Sequence, residues 1–196
     1  MTRTEMKRHL KSRNFNLSLY SGTAVTGDSV TFPLWNLSGQ MVGYQVYRPD
    51  KPKCHSGLPR DRRYYTYVSR YGGKQPAAAV WGLETWRPDK PLFLCEGVFD
   101  ACRLHNAGIS AIAVLGADPT HLKSWLSSLP NVKVAVVQGD AAGQKLAKYG
   151  DLAIHLPDGK DVGDLAKAEF KSIFADYIVA EGPKAFSPDT HQGGGM

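Results

Sequence analysis

Acids recur where apolar runs end in the second half of the chain. Glu96 follows PLFLC, Asp118 follows SAIAVLG, Asp140 follows NVKVAVVQ and Gly139, and Asp158 and Asp161 follow LAIHLP. Acids at one edge of a fold repel one another unless a cation neutralises them. Carboxylate oxygens without Cys or His partners favour Mg²⁺ or Mn²⁺ over zinc. Such an ion orients phosphate oxygens and offsets the charge that develops in phosphoryl transfer. Singly, Asp118, Asp140 and Asp161 read equally well as helix N-caps. Recurrence at successive run ends is what argues for a site. Gly97, Gly139 and Gly143 flank the acids, and a backbone without Cβ lets a phosphate or metal approach closely. The chain has no G-x-G-x-x-G after its first such run and no Walker A sequence, which speaks against dinucleotide and P-loop chemistry.

The elements that must position these acids follow from periodicity. PLFLC, SAIAVLG, NVKVAVVQ and LAIHLP are continuous apolar runs of buried-strand type. Between them lie helical patterns: VFDACRLHNAG, DPTHLKSWLSSLP and DAAGQKLAKYG. In the second of these, Leu122, Trp125, Leu126 and Leu129 share one face. A fourth helix is expected from about Val162, with Ala166, Phe170, Ile173, Phe174 and Tyr177 inward. Four successive βα units predict an α/β fold with a parallel sheet covered on both faces, and ligands bind at the carboxyl ends of such strands. The tail from residue 183 is expected to be disordered.

The front half has another character. Residues 1–16 read as a basic helical or frayed lead-in. From Val25 to Tyr47 the pattern is β, with a hairpin turn at Ser38-Gly39. A Pro- and Gly-rich loop follows, and then Tyr64, Tyr65, Tyr67 and Tyr71 interleave with Arg60, Arg62, Arg63, Arg70 and Lys74. Residues 1–90 carry a net charge of +9 and residues 91–196 a net of −3. That division suggests a polyanion held by the first part and a metal by the second. With 42% hydrophobic and 21% charged residues the composition is that of a soluble globular protein, and no stretch is long enough to span a bilayer. Three scattered cysteines support neither a disulfide framework nor a zinc site, so a reducing cytoplasm is expected.

These residues resemble the TOPRIM-domain primases, the catalytic cores of bacterial and phage type. Glu96-Gly97 with Asp100 looks like the EGxxD start of a TOPRIM domain. VAVVQGDAAG at 134–143 resembles its D-x-D-x-x-G segment, and LPDGKDVGDL at 156–165 its closing acidic stretch. VTFPLWNLSGQMVGYQVYRPD, Arg63-Tyr64-Tyr65 and Val80-Trp81-Gly82-Leu83 are similar to the N-terminal lobe of those cores. The resemblance covers roughly residues 28–180 and implies a basic β-rich lobe at 1–90 for template and nucleotide, with a TOPRIM-like α/β domain at 91–182. It implies synthesis of short RNA primers from NTPs on a single-stranded DNA template. Glu96 takes the role of metal ligand or acid/base; Asp140, Asp161 and Asp164 ligate Mg²⁺ or Mn²⁺; Asp100 lines the site. Arg62, Arg63, Arg70 and Lys74 contact template or triphosphate, with Arg48 and Lys53 on the approach. The tyrosines offer faces for stacking bases.

Two departures shape the alternatives. Gln138 stands where the family has the leading Asp of D-x-D; its carbonyl oxygen is a ligand without charge. The chain also lacks the zinc module and helicase domain that primases often carry, so recruitment is expected to rest on a separately encoded helicase or replication protein. An origin in a phage or mobile element, acting in the bacterial host's cytoplasm, is the expectation. The competing readings are a catalytically weakened TOPRIM scaffold that binds single-stranded nucleic acid or a protein partner, and a TOPRIM nuclease.

Overall fold

A computed structural model of the chain describes residues 1–53, 57–72, 75–116, 118–139 and 143–178. Helix α1 (Arg3–Ser12) is fixed at its start by a capping box between Thr2 and Glu5, and it buries Met6 and Leu10. The lead-in is therefore a capped helix, not a frayed one. Strands β1 (Ala24–Val25), β2 (Val30–Trp35), β3 (Met41–Tyr47) and β4 (Tyr64–Val68) form an antiparallel sheet in sequence order. Gly39, at a φ of 71°, turns the β2–β3 hairpin where expected. A two-stranded ladder, β5 (Arg70–Tyr71) with β6 (Gln75–Pro76), follows.

The second half builds β7 (Leu92–Cys95), α2 (Val98–His105), β8 (Ala111–Ala113), α3 (Lys123–Ser128), β9 (Lys133–Val137), α4 (Gly143–Ala147), β10 (Leu152–His155) and α5 (Lys167–Phe174). Its four strands are parallel, as the apolar runs predict, in the order β10-β9-β7-β8. The chain leaves β7 for β8 on one side, then crosses back over β7 to β9 on the other. This reversal opens a crevice at the carboxyl ends of β7 and β9. One expectation fails: β10 is an exposed edge strand, with Leu152 at 54% exposure, so the sheet is not covered along its whole width. No described helix is long and apolar enough to cross a membrane.

A two-residue splice joins the sheets. Val80 pairs with Trp35 of β2, and Trp81 exchanges backbone hydrogen bonds with Ala113 of β8 at 2.9 and 3.1 Å. One hydrophobic cluster runs through the splice, from Phe32 and Leu34 past Trp81 to Phe93, Val98 and Phe174. The fully buried His105 lies against Trp81, with ring centroids 5.4 Å apart. Its Nε2–H donates to the carbonyl of Ala111 at 2.8 Å, leaving Nδ1 to accept from the Tyr20 hydroxyl at 2.8 Å. Burial pushes the imidazole down to about 4, from an ordinary 6.5. The stability it lends is complete above pH 6.5 and is lost as pH falls toward 4, a span of about 3 kcal/mol. His105→Gln is therefore expected to lose stability relative to the parent as pH rises from about 4 to 6.5, measured by denaturant titration of both proteins.

Candidate functional site at the carboxyl edge of the parallel sheet

Glu96 directly follows β7 and Gln138 directly follows β9, so strand order alone makes them neighbours across the crevice. Both line a cavity of about 330 Å³ that wraps the first turn of α2 and takes in Gly97, Val98, Phe99 and Asp100. Asp161 reaches the same cavity from the loop after β10. Asp100 is 9% exposed and accepts a hydrogen bond from the Val162 backbone N–H at 3.1 Å.

Burial, and then the nearby Asp161, push the Asp100 carboxyl up to about 7. Burial and Asp164 push Asp161 upward too. For the cation-free protein the Asp100 contribution is full below its unfolded value near 3.8 and is lost as pH rises toward 7. That slope opposes the one from His105. In chelator, Asp100→Asn is therefore expected to gain stability relative to the parent as pH rises from about 4 to 8, measured by denaturant titration of both proteins.

Mutual repulsion of carboxylates in a polar cavity is the condition that a hard divalent cation relieves, and Glu96, Asp100, Asp161 and the Gln138 carbonyl oxygen are donors of the right kind. Among the described residues, no three His, Cys, Asp or Glu side chains gather closely enough to complete a cation shell. Asp140, which would join them, lies outside the described residues, as do Lys74 and Cys54.

The two acids of the closing stretch divide their work. Asp161 caps the 3₁₀ turn Val162–Asp164, accepting from the Asp164 N–H at 2.9 Å, and Asp164 accepts from the Asp161 N–H at 3.3 Å. The N-cap role and the cavity position thus coexist at Asp161, whereas Asp164 is exposed. Asp118 does not join the cavity: it is exposed and accepts from the Tyr149 hydroxyl at 2.6 Å. Lys160 is paired to Glu169 at 2.6 Å.

Of the flanking glycines, Gly97 lines the cavity, where a Cβ would meet only Asp100 Oδ2 at 3.2 Å, whereas Gly139 and Gly143 make room for the chain itself. A Cβ on Gly139 would lie 2.6 Å from Asp158 Oδ1 and 2.9 Å from its Cα, and one on Gly143 would meet the Gln138 backbone. These contacts seat the loops after β9 and β10 against each other and press α4 onto Gln138.

The opposite wall is basic and aromatic. Arg13, Gln45, Tyr47, Lys53, Arg63 and Tyr64 face the acids across the cavity. Arg13 was not apparent from the chain order: it sits at the end of α1, its guanidinium 4.6 Å over the Phe99 ring. Asn106, at the end of α2, holds the following Asn14 carbonyl at 2.7 Å. Arg63 is steadied by donating to the Lys51 carbonyl at 2.8 Å. Arg48, Arg62 and Arg70 lie outside the cavity lining; Arg62 and Arg70 are exposed, and Arg48 is half-buried. The tyrosines divide by strand alternation. Tyr64 pairs with Tyr47, with rings stacked at 5.1 Å on the cavity face. Tyr65 and Tyr67 share the outer face with Tyr44, whose ring stacks on Tyr67 at 5.4 Å.

Arg103 had no visible role in the sequence. From α2 it donates to the carbonyls of Val162, Gly163 and Leu165 at 2.6, 2.8 and 2.6 Å, and its guanidinium lies 4.9 Å over Phe170. It fastens the loop that carries Asp161 to the helix that carries Asp100.

No protein-family model matches the chain, and no curated protein matches its sequence. Solved structures do. The Escherichia coli primase catalytic core is similar at a TM-score of 0.55 and 20% identity, over 89% of this chain and 60% of that one. A DNA primase domain from Pseudomonas aeruginosa is similar at 0.53 and 20% identity, over 90% of this chain and 60% of that one. The primase fragment of the bacteriophage T7 primase-helicase protein is similar at 0.57 and 16% identity, over 87% of this chain and 70% of that one. Another similar structure is a DnaG primase catalytic domain bound to single-stranded DNA. The chain thus spans about three fifths of the length of the bacterial cores it matches. Its mixed architecture, a parallel four-stranded α/β unit beside an antiparallel sheet, is the fold of the primase catalytic cores.

Proposed function

We propose that the chain is a primase-like nucleotidyltransferase that makes short RNA primers on single-stranded DNA. The observation that carries this reading is one cavity with two opposed walls. Glu96, Asp100 and Asp161 come from the carboxyl edge of the parallel sheet, and Arg13, Lys53 and Arg63 from the basic half. One wall suits a divalent cation and the other the phosphates of a template or an incoming NTP. Residues 1–90 then act as the template and nucleotide lobe and residues 91–182 as the TOPRIM-like domain. Bound Mg²⁺ or Mn²⁺ would be held by Glu96, Asp161 and Asp140 and would offset the charge of the transferring phosphoryl group.

The chain's own side chains supply the rest. Lys53 and Arg63 hold phosphate oxygens. Tyr64, exposed and backed by the buried Tyr47 ring, offers a face to a base. Glu96 accepts the proton that leaves the attacking hydroxyl or, with the cation bound, serves as its ligand. The neighbour solved with single-stranded DNA and the neighbour from a primase-helicase support a DNA template and a helicase or replication partner.

The test is incorporation of labelled NTPs on random single-stranded DNA with Mg²⁺ or Mn²⁺. Short RNA products from the parent, lost in Glu96→Gln while DNA binding persists, are expected. Shortening of the template instead would identify a nuclease. Gln138, together with the incomplete acid cluster among the described residues, favours one second reading: a scaffold that grips single strands without catalysis. It predicts salt-sensitive binding indifferent to Glu96→Gln and no product under any condition.

A further inference from the structure

The antiparallel sheet has a second face, turned away from the acids. Strand alternation puts Tyr47 and Tyr64 toward the cavity and Tyr44, Tyr65 and Tyr67 on the other side. The last three form a patch across β3 and β4. The Tyr44 ring stacks on Tyr67 at 5.4 Å and meets Tyr65 edge-on at 6.4 Å. Tyr67 is 47% exposed, and Tyr44 and Tyr65 are half-buried.

Charge suits this patch to a polyanion. Strands β2, β3 and β4 contain no acid. Residues 60–70 carry four Arg against one Asp, at the two ends of β4. Two of those arginines, Arg62 and Arg70, are exposed and lie outside the cavity lining, so the cavity gives them no role. Large exposed rings on a sheet face, with cations beside them, mark an interaction surface. The patch also adjoins the cavity. β4 is the outermost strand of its sheet, and Tyr64 and Tyr65 are consecutive on it. A single strand of nucleic acid that leaves the cavity over that edge passes from Tyr64 to the outer tyrosines.

We propose that this outer face, on the primase-like reading of the cavity, is a second binding surface for single-stranded DNA that carries the template past the site. Tyr44, Tyr65 and Tyr67 stack unpaired bases, and Arg62 and Arg70 pair with phosphates at either end of β4. Every base has a π-face, so such a surface holds a template of any sequence. Stacking rings with cations at both ends match the alternation of bases and phosphates. A polypeptide has no such alternation.

The test uses the whole chain and a labelled oligo(dT) of about 16 nucleotides, the upper site size of a single-strand-binding fold. Anisotropy titrations at several salt concentrations give affinity and salt slope. Tyr67→Thr, an exposed change that keeps a strand-favouring residue on the edge, is expected to weaken binding about fivefold or more. Tyr67→Phe should bind as the parent does, because stacking needs the ring and not the hydroxyl. Arg62→Gln with Arg70→Gln should flatten the plot of log affinity against log salt by roughly 1.4, about 0.7 for each phosphate contact. Undiminished binding by Tyr67→Thr, equal losses in Tyr67→Thr and Tyr67→Phe, or an unchanged salt slope would overturn the proposal. If Arg63→Gln, in the cavity, weakens binding in any of those cases, the primase-like reading stands without this surface. Failure of the parent to bind the oligonucleotide removes both. Binding of a decaproline peptide that Tyr67→Thr abolishes, with oligonucleotide affinity untouched, would mark a polypeptide surface and also overturn the proposal.

Discussion

Gln138→Asp is expected to raise the initial rate of labelled NTP incorporation on single-stranded DNA by at least about tenfold, the effect of roughly one pKa unit of added charge stabilisation. Glu96→Gln is expected to lower it by on the order of 10²- to 10⁴-fold, the range for a group that moves a proton in the reaction. The two changes act at the ends of adjacent strands and on one cavity, so they test one site from both directions. Asp at 138 adds a full negative charge to the cavity of Asp100 and Asp161, whose carboxyls burial and then a neighbouring acid already push upward. Without a cation it should therefore lower the melting temperature, and Mg²⁺ should restore more stability to Gln138→Asp than to the parent. A metal titration of rate and of melting temperature, run on both proteins, checks the pair. If both remain without product while DNA binding persists, the scaffold reading replaces the polymerase reading.

Arg103→Lys is expected to cost about 2–3 kcal/mol of stability and to weaken the response to Mg²⁺, although Arg103 does not line the cavity. The guanidinium fork reaches three carbonyls at once, and a lysine ammonium cannot span that geometry. The freed segment is the 3₁₀ turn that Asp161 caps, and its Val162 N–H also binds Asp100. Loss of the fork therefore moves one acid and removes a hydrogen bond from another. Equilibrium unfolding measures the first effect. Half-saturation by Mg²⁺ in a thermal-shift titration measures the second, and an unchanged midpoint would show that the loop holds its place without Arg103.

Local chemistry made much of this legible from sequence. Apolar runs with acids at their ends marked the parallel strands: β7, β8 and β9, buried on both faces, have almost no polar residue to spare until they leave the sheet, and β10 shares the apolar pattern although it lies exposed at the edge. Ser38-Gly39 gave the hairpin, because its turn needs a positive φ. Strand alternation alone puts Tyr64 and Tyr65 on opposite faces. It does not say which face is inward, and pairing with Tyr47 and Val46 of β3 decided that.

Other features depend on residues far apart in the chain. Strand order joins Glu96 to Gln138 and leaves Asp118, equally placed in its own βα unit, to Tyr149. Arg13 reaches the acids because α1 ends over Phe99, and Arg103 reads as an ordinary helix residue until the loop it fastens is in place. By itself the sequence determined the βα rhythm, the acids at strand ends and the separation of charge between the halves, since each follows from periodicity or composition. Only the tertiary structure decided which acids share a cavity and which cations share it with them. Those are contacts across long separations, and no local pattern encodes them.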